Sequence, residues 1–244
     1  EFSIDNALTH LKEISKEAHY VGTEAHKATQ NYILSEFQKL GLNPTIQTQT
    51  ILNSKRRITG TTVENIIVKI DGTRKGNALM LLSHYDSSPH SAPGAGDAGS
   101  GVVTILEGVR AFLAKNQAPK NDVIILISDA EELGLLGAKA FVKHHPLAKN
   151  IGLVLNFEAR GSGGPSIMLM ETNGKNSKMI SEFRKANMSY PTSNSLLYSI
   201  YKKLPNDTDL TIFRENADIN GFNFAFIDDH FDYHTAQDTY ERLD

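Results

Sequence analysis

The 244-residue sequence contains no cysteine and no tryptophan. Without thiols there can be no disulfide scaffold, no Cys-ligated zinc, no iron–sulfur cluster and no thiol nucleophile. Any metal must be held by histidine and carboxylate. A large charge of one sign is missing as well: 25 Lys+Arg against 28 Asp+Glu leave a net charge of −3. That balance argues against nucleic acid as a partner, because phosphate contacts need a basic surface. Long apolar runs are also missing. The longest purely aliphatic stretch is Val123–Ile127, far short of the roughly 20 residues that span a bilayer. There is no internal repeat and no low-complexity tract. What remains is a globular composition, 40% hydrophobic and 22% charged, able to bury a sizeable core. The chain begins with Glu1 rather than Met and shows no signal-peptide pattern. It is therefore expected to be a processed or excised part of a longer product.

Hydrophobic spacing orders the chain into elements. Ile4, Ala7, Leu8, Leu11 and Ile14 predict a helix over Ile4–Ile14. A second helix is expected from Glu24 to Leu40, stopped by Gly41. Thr45–Leu52 and Thr61–Ile70 read as strands. Beyond them the pattern becomes strand, Gly-rich loop, helix, strand. Ala78–Ser83 is followed by the loop Gly94–Gly101 and an apolar helical face through Val102, Ile105, Leu106, Val109, Phe112 and Leu113. Val123–Ile127 and Ile151–Phe157 are short apolar runs suited to strands buried on both faces, with a helix over Leu135–His145 between them. Further helices are expected near Lys178–Met188 and over Ser195–Leu204, then a strand over Asn223–Ile227. The alternation predicts an α/β fold, a three-layer sandwich whose mixed, largely parallel central sheet is flanked by helices, with antiparallel strands from the N-terminal third.

The chemistry collects where these strands end. After Ala78–Ser83 stands His84-Tyr85-Asp86-Ser87; after Val123–Ile127 come Asp129, Ala130, Glu131 and Glu132. Glu158 follows Ile151–Phe157, and Asp228, Asp229, His230, Asp232 and His234 follow Asn223–Ile227. The crevice at the carboxyl ends of strands is where open α/β sheets bind ligands. Asp97 joins from Gly94-Ala95-Gly96-Asp97-Ala98-Gly99-Ser100-Gly101. Taken singly, Asp97 reads equally well as a helix cap and Glu131 and Glu132 as first-turn acids. Together, four strand ends supplying His or carboxylate to one rim point to a metal, with zinc ahead of manganese or cobalt. Two histidines and three carboxylates exceed one tetrahedral ion and suit two ions about 3.5–4 Å apart. Asp97, short and set between glycine pairs, is the natural bridge. One glutamate is then left over as a general base. His144 and His145 end a helix and suit its dipole. His90 lies in a Ser/Pro loop that could border the cleft, and Arg160 could meet a substrate carboxylate or form a structural ion pair.

The ordered set His84-x-Asp86, Gly96-Asp97-Ala98-Gly99-Ser100-Gly101, Glu131-Glu132, Glu158 and Tyr233-His234-Thr235 resembles the co-catalytic zinc aminopeptidases of peptidase family M28, over about Asn65 to Thr239. Phe157-Glu158-Ala159-Arg160-Gly161 and Pro205-Asn206-Asp207-Thr208-Asp209-Leu210-Thr211-Ile212-Phe213 look closest to the branch of endoplasmic-reticulum metallopeptidases, vacuolar membrane proteases and bacterial relatives. The resemblance implies one zinc peptidase catalytic domain over residues 1–244 with two Zn2+ per chain. His84 and Glu158 would bind one ion, Glu132 and His234 the other, and Asp97 both. Glu131 would be the general base acting on a metal-bridging water, Tyr233 would steady the oxyanion, and Asp86 would orient a ligand. The substrate would be a peptide with a free N-terminus. An extracytoplasmic location, and membrane attachment through segments outside this chain, are implied by the branch. Two departures stand out: Glu158 replaces the Asp of many members, and Leu210 follows Asp209 where many have His.

Two other functions share the resemblance. Glutaminyl cyclases also carry a His-Tyr-Asp-Ser stretch, but they use one zinc and have Trp immediately before the last zinc histidine. Here that residue is Tyr233. Some relatives of the fold have lost their metals and serve as receptor-like ectodomains; here the ligand set and the base are complete.

Overall fold

The computed structural model describes residues 1–244 apart from 55–57, 90–91, 175, 194–195, 197–198, 200–202 and 204–206. His90 and most of the helix expected over Ser195–Leu204 lie outside the described residues. Helix α1 (Ile4–Ile14) starts where the Ser3 hydroxyl accepts the Asn6 N–H. Helix α2 (Glu24–Lys39) starts where Thr23 accepts the His26 N–H. Both caps satisfy a backbone donor that the first helical turn leaves free. Strands β1 (Thr45–Asn53) and β2 (Thr59–Ile70) follow, then β3 (Ala78–His84), α3 (Gly101–Leu113), β4 (Val123–Ser128) and α4 (Leu136–His144). The last part holds β5 (Ile151–Ala159), β6 (Ile167–Glu171), α5 (Ser177–Lys185), α6 (Asp209–Ala217) and β7 (Gly221–Phe226).

The strands form one seven-stranded sheet in the order β1-β2-β4-β3-β5-β7-β6. The neighbours β4-β3, β3-β5 and β5-β7 are parallel, whereas β1-β2, β2-β4 and β6-β7 are antiparallel. Because β4, β3, β5 and β7 all run the same way, their carboxyl ends share one edge of the sheet. Side chains alternate across the strands. Ile125 and Ile127 pack with Leu11, Ile33, Phe37, Leu106 and Val109 beneath α1, α2 and α3. Ile124 and Leu126 pack with Phe141, Leu210 and Phe213 beneath α4 and α6. Helix, sheet and helix make three layers, as expected.

Two elements differ from the expectation. β6 carries Ile-Met-Leu-Met-Glu, with one β-branched residue, and pairs along the sheet margin with β7, with a single bridge to Thr192 on its other side. Its strand character comes from that pairing rather than from propensity. Helix α6 lies where hydrophobic spacing assigned no element, and Thr208 and Thr211 cap it reciprocally. In α1, Leu11 and Ile14 are buried while Ile4 is 70% exposed, so the apolar stripe is wider than the face that packs.

Candidate metal centre

The edge where β3, β4, β5 and β7 end gathers the expected residues from five segments. His84 is the last residue of β3 and Glu158 lies at the end of β5. Glu131 and Glu132 stand in the turn between β4 and α4, and His234 follows β7 in a loop. Asp97 lies in a buried turn, Ala95–Ser100, whose backbone is non-helical at Asp97 (φ −107, ψ 95) before it leads into α3. Gly94 enters this turn at φ +69, a left-handed conformation that costs glycine little. At Gly101 a Cβ would stand 2.4 Å from Ser83 Oγ and 2.6 Å from the Phe157 carbonyl. Only glycine lets α3 press onto the strand ends and bring Asp97 over them.

Asp97 is the centre of the geometry. Its Oδ1 lies 3.2 Å from His84 Nε2 and its Oδ2 lies 3.0 Å from His234 Nε2. Glu158 Oε2 stands 3.7 Å from His84 Nε2, and Glu132 Oε1 stands 2.8 Å from His234 Nε2. Donor atoms of His84, Glu131 and Glu158 lie within 4.8 Å of one another, and so do those of Asp97, Glu132 and His234. The His84 Nδ1–H donates to the Asp86 carbonyl at 2.9 Å. That bond fixes the tautomer whose Nε2 lone pair faces Asp97 and Glu158. The Asp86 carboxylate instead accepts the backbone N–H groups of Glu131 (2.9 Å) and Glu132 (3.2 Å). Asp86 thus holds the histidine through its backbone and the glutamate pair through its side chain.

These groups suit a divalent cation. Glu158 Oε2 is buried and accepts no hydrogen bond, an expensive state for a carboxylate unless a cation satisfies it. The proton affinities carry the same message. Burial, reinforced by the charges of Glu158 and Glu132, pushes the Glu131 carboxyl well above its ordinary range. Burial and the nearby Asp97 charge push Glu132 up to about 7. Burial works against both histidines, yet their carboxylate partners raise His84 well above its usual value and His234 to about 9. Burial also opposes ionisation of Asp97, but His234 and His84 hold its carboxyl well below the usual range. Without metal, the cluster keeps protons where cations fit. Four carboxylates and two imidazoles, with no thiol, are a hard-to-borderline donor set of the kind that takes zinc.

Several expected rim residues point elsewhere. Asp129 is buried but pairs with His26 Nε2 at 2.9 Å and accepts the Glu64 N–H. It pins α2 and β2 rather than facing the cleft. Asp232 accepts from Ser162 and pairs with Arg242. Asp228 pairs through its backbone with Gly163, and His230 packs edge-on against Phe231. His145 closes α4 through its backbone N–H, which donates to the Phe141 carbonyl, while its Nδ1 accepts the Leu147 N–H and caps the next turn, so capping explains it better than dipole attraction. Arg160 forms no carboxylate ion pair among the described residues. Its Nη1 donates to Tyr233 Oη at 2.6 Å and its Nη2 to the Asp207 carbonyl at 3.1 Å.

Two supporting residues escape a reading by strand ends. Asp238 accepts the Gly96 N–H at 2.6 Å and the Asp97 N–H at 3.1 Å, and so holds the turn that carries Asp97. It lies in an irregular segment with no periodic signal. Asn156, two residues before Glu158 on the same strand face, donates to Glu158 Oε1 at 3.3 Å and to Asn223 Oδ1 at 2.9 Å. A polar residue inside an apolar strand run was the available signal.

A His and carboxylate cluster able to hold metal ions stands at the carboxyl edge of a mixed sheet within a helix–sheet–helix sandwich, the architecture of the zinc exopeptidase fold. Residues 65–244 match peptidase family M28, and the chain belongs to that family. It is 32% identical to a vacuolar membrane protease of Candida tropicalis, over 98% of this chain and 26% of that protein. It is 30% identical to endoplasmic reticulum metallopeptidase 1 of Mus musculus, over 74% of this chain and 20% of that protein. The chain therefore spans about a quarter of the length of these relatives. Among solved structures it resembles a zinc aminopeptidase from Bacillus subtilis with a TM-score of 0.77, 16% identity and coverage of 100% and 91% of the two chains. A glutaminyl cyclase from Porphyromonas gingivalis superposes with a TM-score of 0.76, 20% identity and coverage of 100% and 92%. These likenesses establish the fold. The family is one of peptidases, and the relatives that share it are named as a protease and a metallopeptidase.

Proposed function

We propose that this chain is the peptidase part of a co-catalytic di-zinc aminopeptidase, which hydrolyses the N-terminal peptide bond of substrates with a free N-terminus. The observation that carries the reading is Asp97, whose two oxygens face two imidazoles at 3.2 and 3.0 Å, each with a glutamate beside it. His84 and Glu158 would hold one Zn2+, Glu132 and His234 the other, and Asp97 both. When bound, the ions supply Lewis acidity at the scissile carbonyl and bring the pKa of a water nucleophile towards neutrality. Glu131 takes the proton of that water and returns it to the leaving amine. Its buried carboxyl, with raised proton affinity, suits both halves of that transfer. The substrate amine binds against Glu131 and Glu158. Tyr233 donates its hydroxyl proton to the developing oxyanion. Residues 1–244 would act as one catalytic domain, since a single sheet carries every described strand.

No described helix is long and apolar enough to cross a membrane. The names of the relatives, vacuolar membrane protease and endoplasmic reticulum metallopeptidase 1, support an extracytoplasmic site of action. They also support attachment through segments outside this chain. Incubating the zinc-loaded protein with a peptide and its N-acetylated twin tests the activity. Release of the first residue from the free peptide alone is expected. Internal cleavage of both peptides would overturn the exopeptidase reading. Ring closure of an N-terminal glutamine without residue release would establish the cyclase instead.

A further inference from the structure

Beside the metal centre lies an arginine that no carboxylate of the described residues pairs with directly. Arg160 follows Glu158 by two residues at the end of β5 and is half-buried. Its polar contacts are the Tyr233 hydroxyl (2.6 Å), the Ala159 carbonyl (3.3 Å) and the Asp207 carbonyl (3.1 Å). Its guanidinium carbon also lies 5.1 Å from the centre of the Tyr233 ring. No carboxylate pairs with it directly among the described residues. A buried arginine normally takes a carboxylate, because desolvating an unpaired guanidinium is costly. This one is instead spent on a neutral phenol next to a centre that already carries excess acidic groups.

The direction of that hydrogen bond matters. Guanidinium is a donor only, whereas a phenol both donates and accepts. With Arg160 donating, a lone pair of Tyr233 Oη is occupied and the phenolic proton must point elsewhere. It finds no acceptor among the described residues. Tyr233 itself is held by stacking on His234, with ring centroids 3.7 Å apart, so its hydroxyl cannot swing far from the centre. We propose that Arg160 is a positioning residue that commits the Tyr233 hydroxyl to donation, aiming its proton at the oxyanion and polarising the O–H bond. This inference rests on the aminopeptidase reading above and assigns Arg160 to the transition state rather than to substrate anchoring. A carboxylate in its place would capture the phenolic proton and disarm the donor.

A double-mutant cycle on the zinc-loaded protein tests it. Tyr233→Phe should lower kcat by about ten- to a thousandfold, the scale for one oxyanion donor. Arg160→Met should lower kcat by roughly ten- to a hundredfold with KM within about threefold, because an interaction made only in the transition state is lost. Affinity for an aminophosphinic dipeptide analogue, whose tetrahedral group carries the anion, should fall in parallel. Affinity for the free amino-acid product should not. Arg160→Lys should recover part of the loss, since it restores a cationic donor. In the Tyr233→Phe background, Arg160→Met should cost less than about twofold, because its route through the phenol is already gone. Zinc content and melting temperature are recorded for every variant. If Arg160→Met proves too unstable to purify, Arg160→Lys and Arg160→Gln complete the same cycle. A further tenfold loss in the Phe background, or a raised KM with kcat intact, would overturn the proposal. Unimpaired Arg160→Met beside a slow Tyr233→Phe would overturn it alone, leaving the aminopeptidase reading in place. A Tyr233→Phe protein with full turnover would remove the oxyanion role, and this inference with it.

Discussion

Replacing Asp238 by alanine should loosen the metal centre without touching a ligand. Its carboxylate accepts the Gly96 and Asp97 N–H groups at 2.6 and 3.1 Å, both inside the buried turn Ala95–Ser100. Alanine leaves the two donors unsatisfied, at about 1–3 kcal/mol for each buried group. The turn is packed too closely for easy repair: a Cβ on Gly99 would stand 2.7 Å from the Gly94 carbonyl. The loss should divide between fold stability and the placement of Asp97. At the lower end, about 2 kcal/mol would lower the melting temperature of the metal-free protein by roughly 4–8 °C. Zinc affinity should fall by about ten- to a hundredfold, the range for losing a partner that orients a ligand. Thermal melts and competition titrations with a zinc chelator report the two parts separately. Asp238→Asn keeps one acceptor oxygen and should lie between wild type and Asp238→Ala in affinity. An Asp238→Ala protein with unchanged melting and unchanged affinity would refute the role given to this contact.

The adjacent glutamates should separate by role. Glu131→Gln should keep both metals and the fold while hydrolysis drops by about a hundredfold or more, the scale for a positioned general base; Glu132→Gln should lose zinc. Metal analysis beside activity decides, and the opposite pattern would reverse the assignment. A pH effect is also expected at His19, which is not itself a ligand. Burial pushes this histidine down to about 4, whereas the unfolded chain protonates near 6.5. The unfolded state therefore binds the extra proton first, and stability present above pH 6.5 is lost as pH falls towards 4. Between pH 7 and pH 5 the loss should be about 2 kcal/mol. The carboxyl groups of the metal centre add their own pH dependence, so the test is a difference: in urea unfolding of the metal-free proteins, wild type and His19→Asn should differ in their change between pH 7 and pH 5 by that amount, and an identical pH dependence in the variant would contradict the assignment.

Much of the fold and of the candidate site is legible in the sequence because both follow from local pattern. Runs such as Val123–Ile127 suit strands covered by helices on both faces, and where neighbouring strands run parallel their carboxyl ends share one edge. His84, Glu131, Glu132 and Glu158 are therefore brought together by topology as soon as the strands are recognised. Residues whose role depends on a distant partner are not legible in this way. Asp238 reaches back to Gly96 and Asp97 from an irregular segment. Asp129 looks like a rim carboxylate until α2 brings His26 to within 2.9 Å. The edge strand β6 forms because β7 offers it a ladder, not because Met168 and Met170 favour extension. Helix α6 is a different case. Thr208, Asp209 and Thr211 ahead of Phe213 carry a readable capping signal, masked by the motif that runs through the same residues.

The central claim is that Asp97 is shared between two ions, and zinc stoichiometry tests it most directly. The protein is stripped with chelator, reloaded with excess zinc, desalted and analysed for metal per chain. Two zinc ions per chain are expected. Saturation at a single ion would contradict the bridged centre.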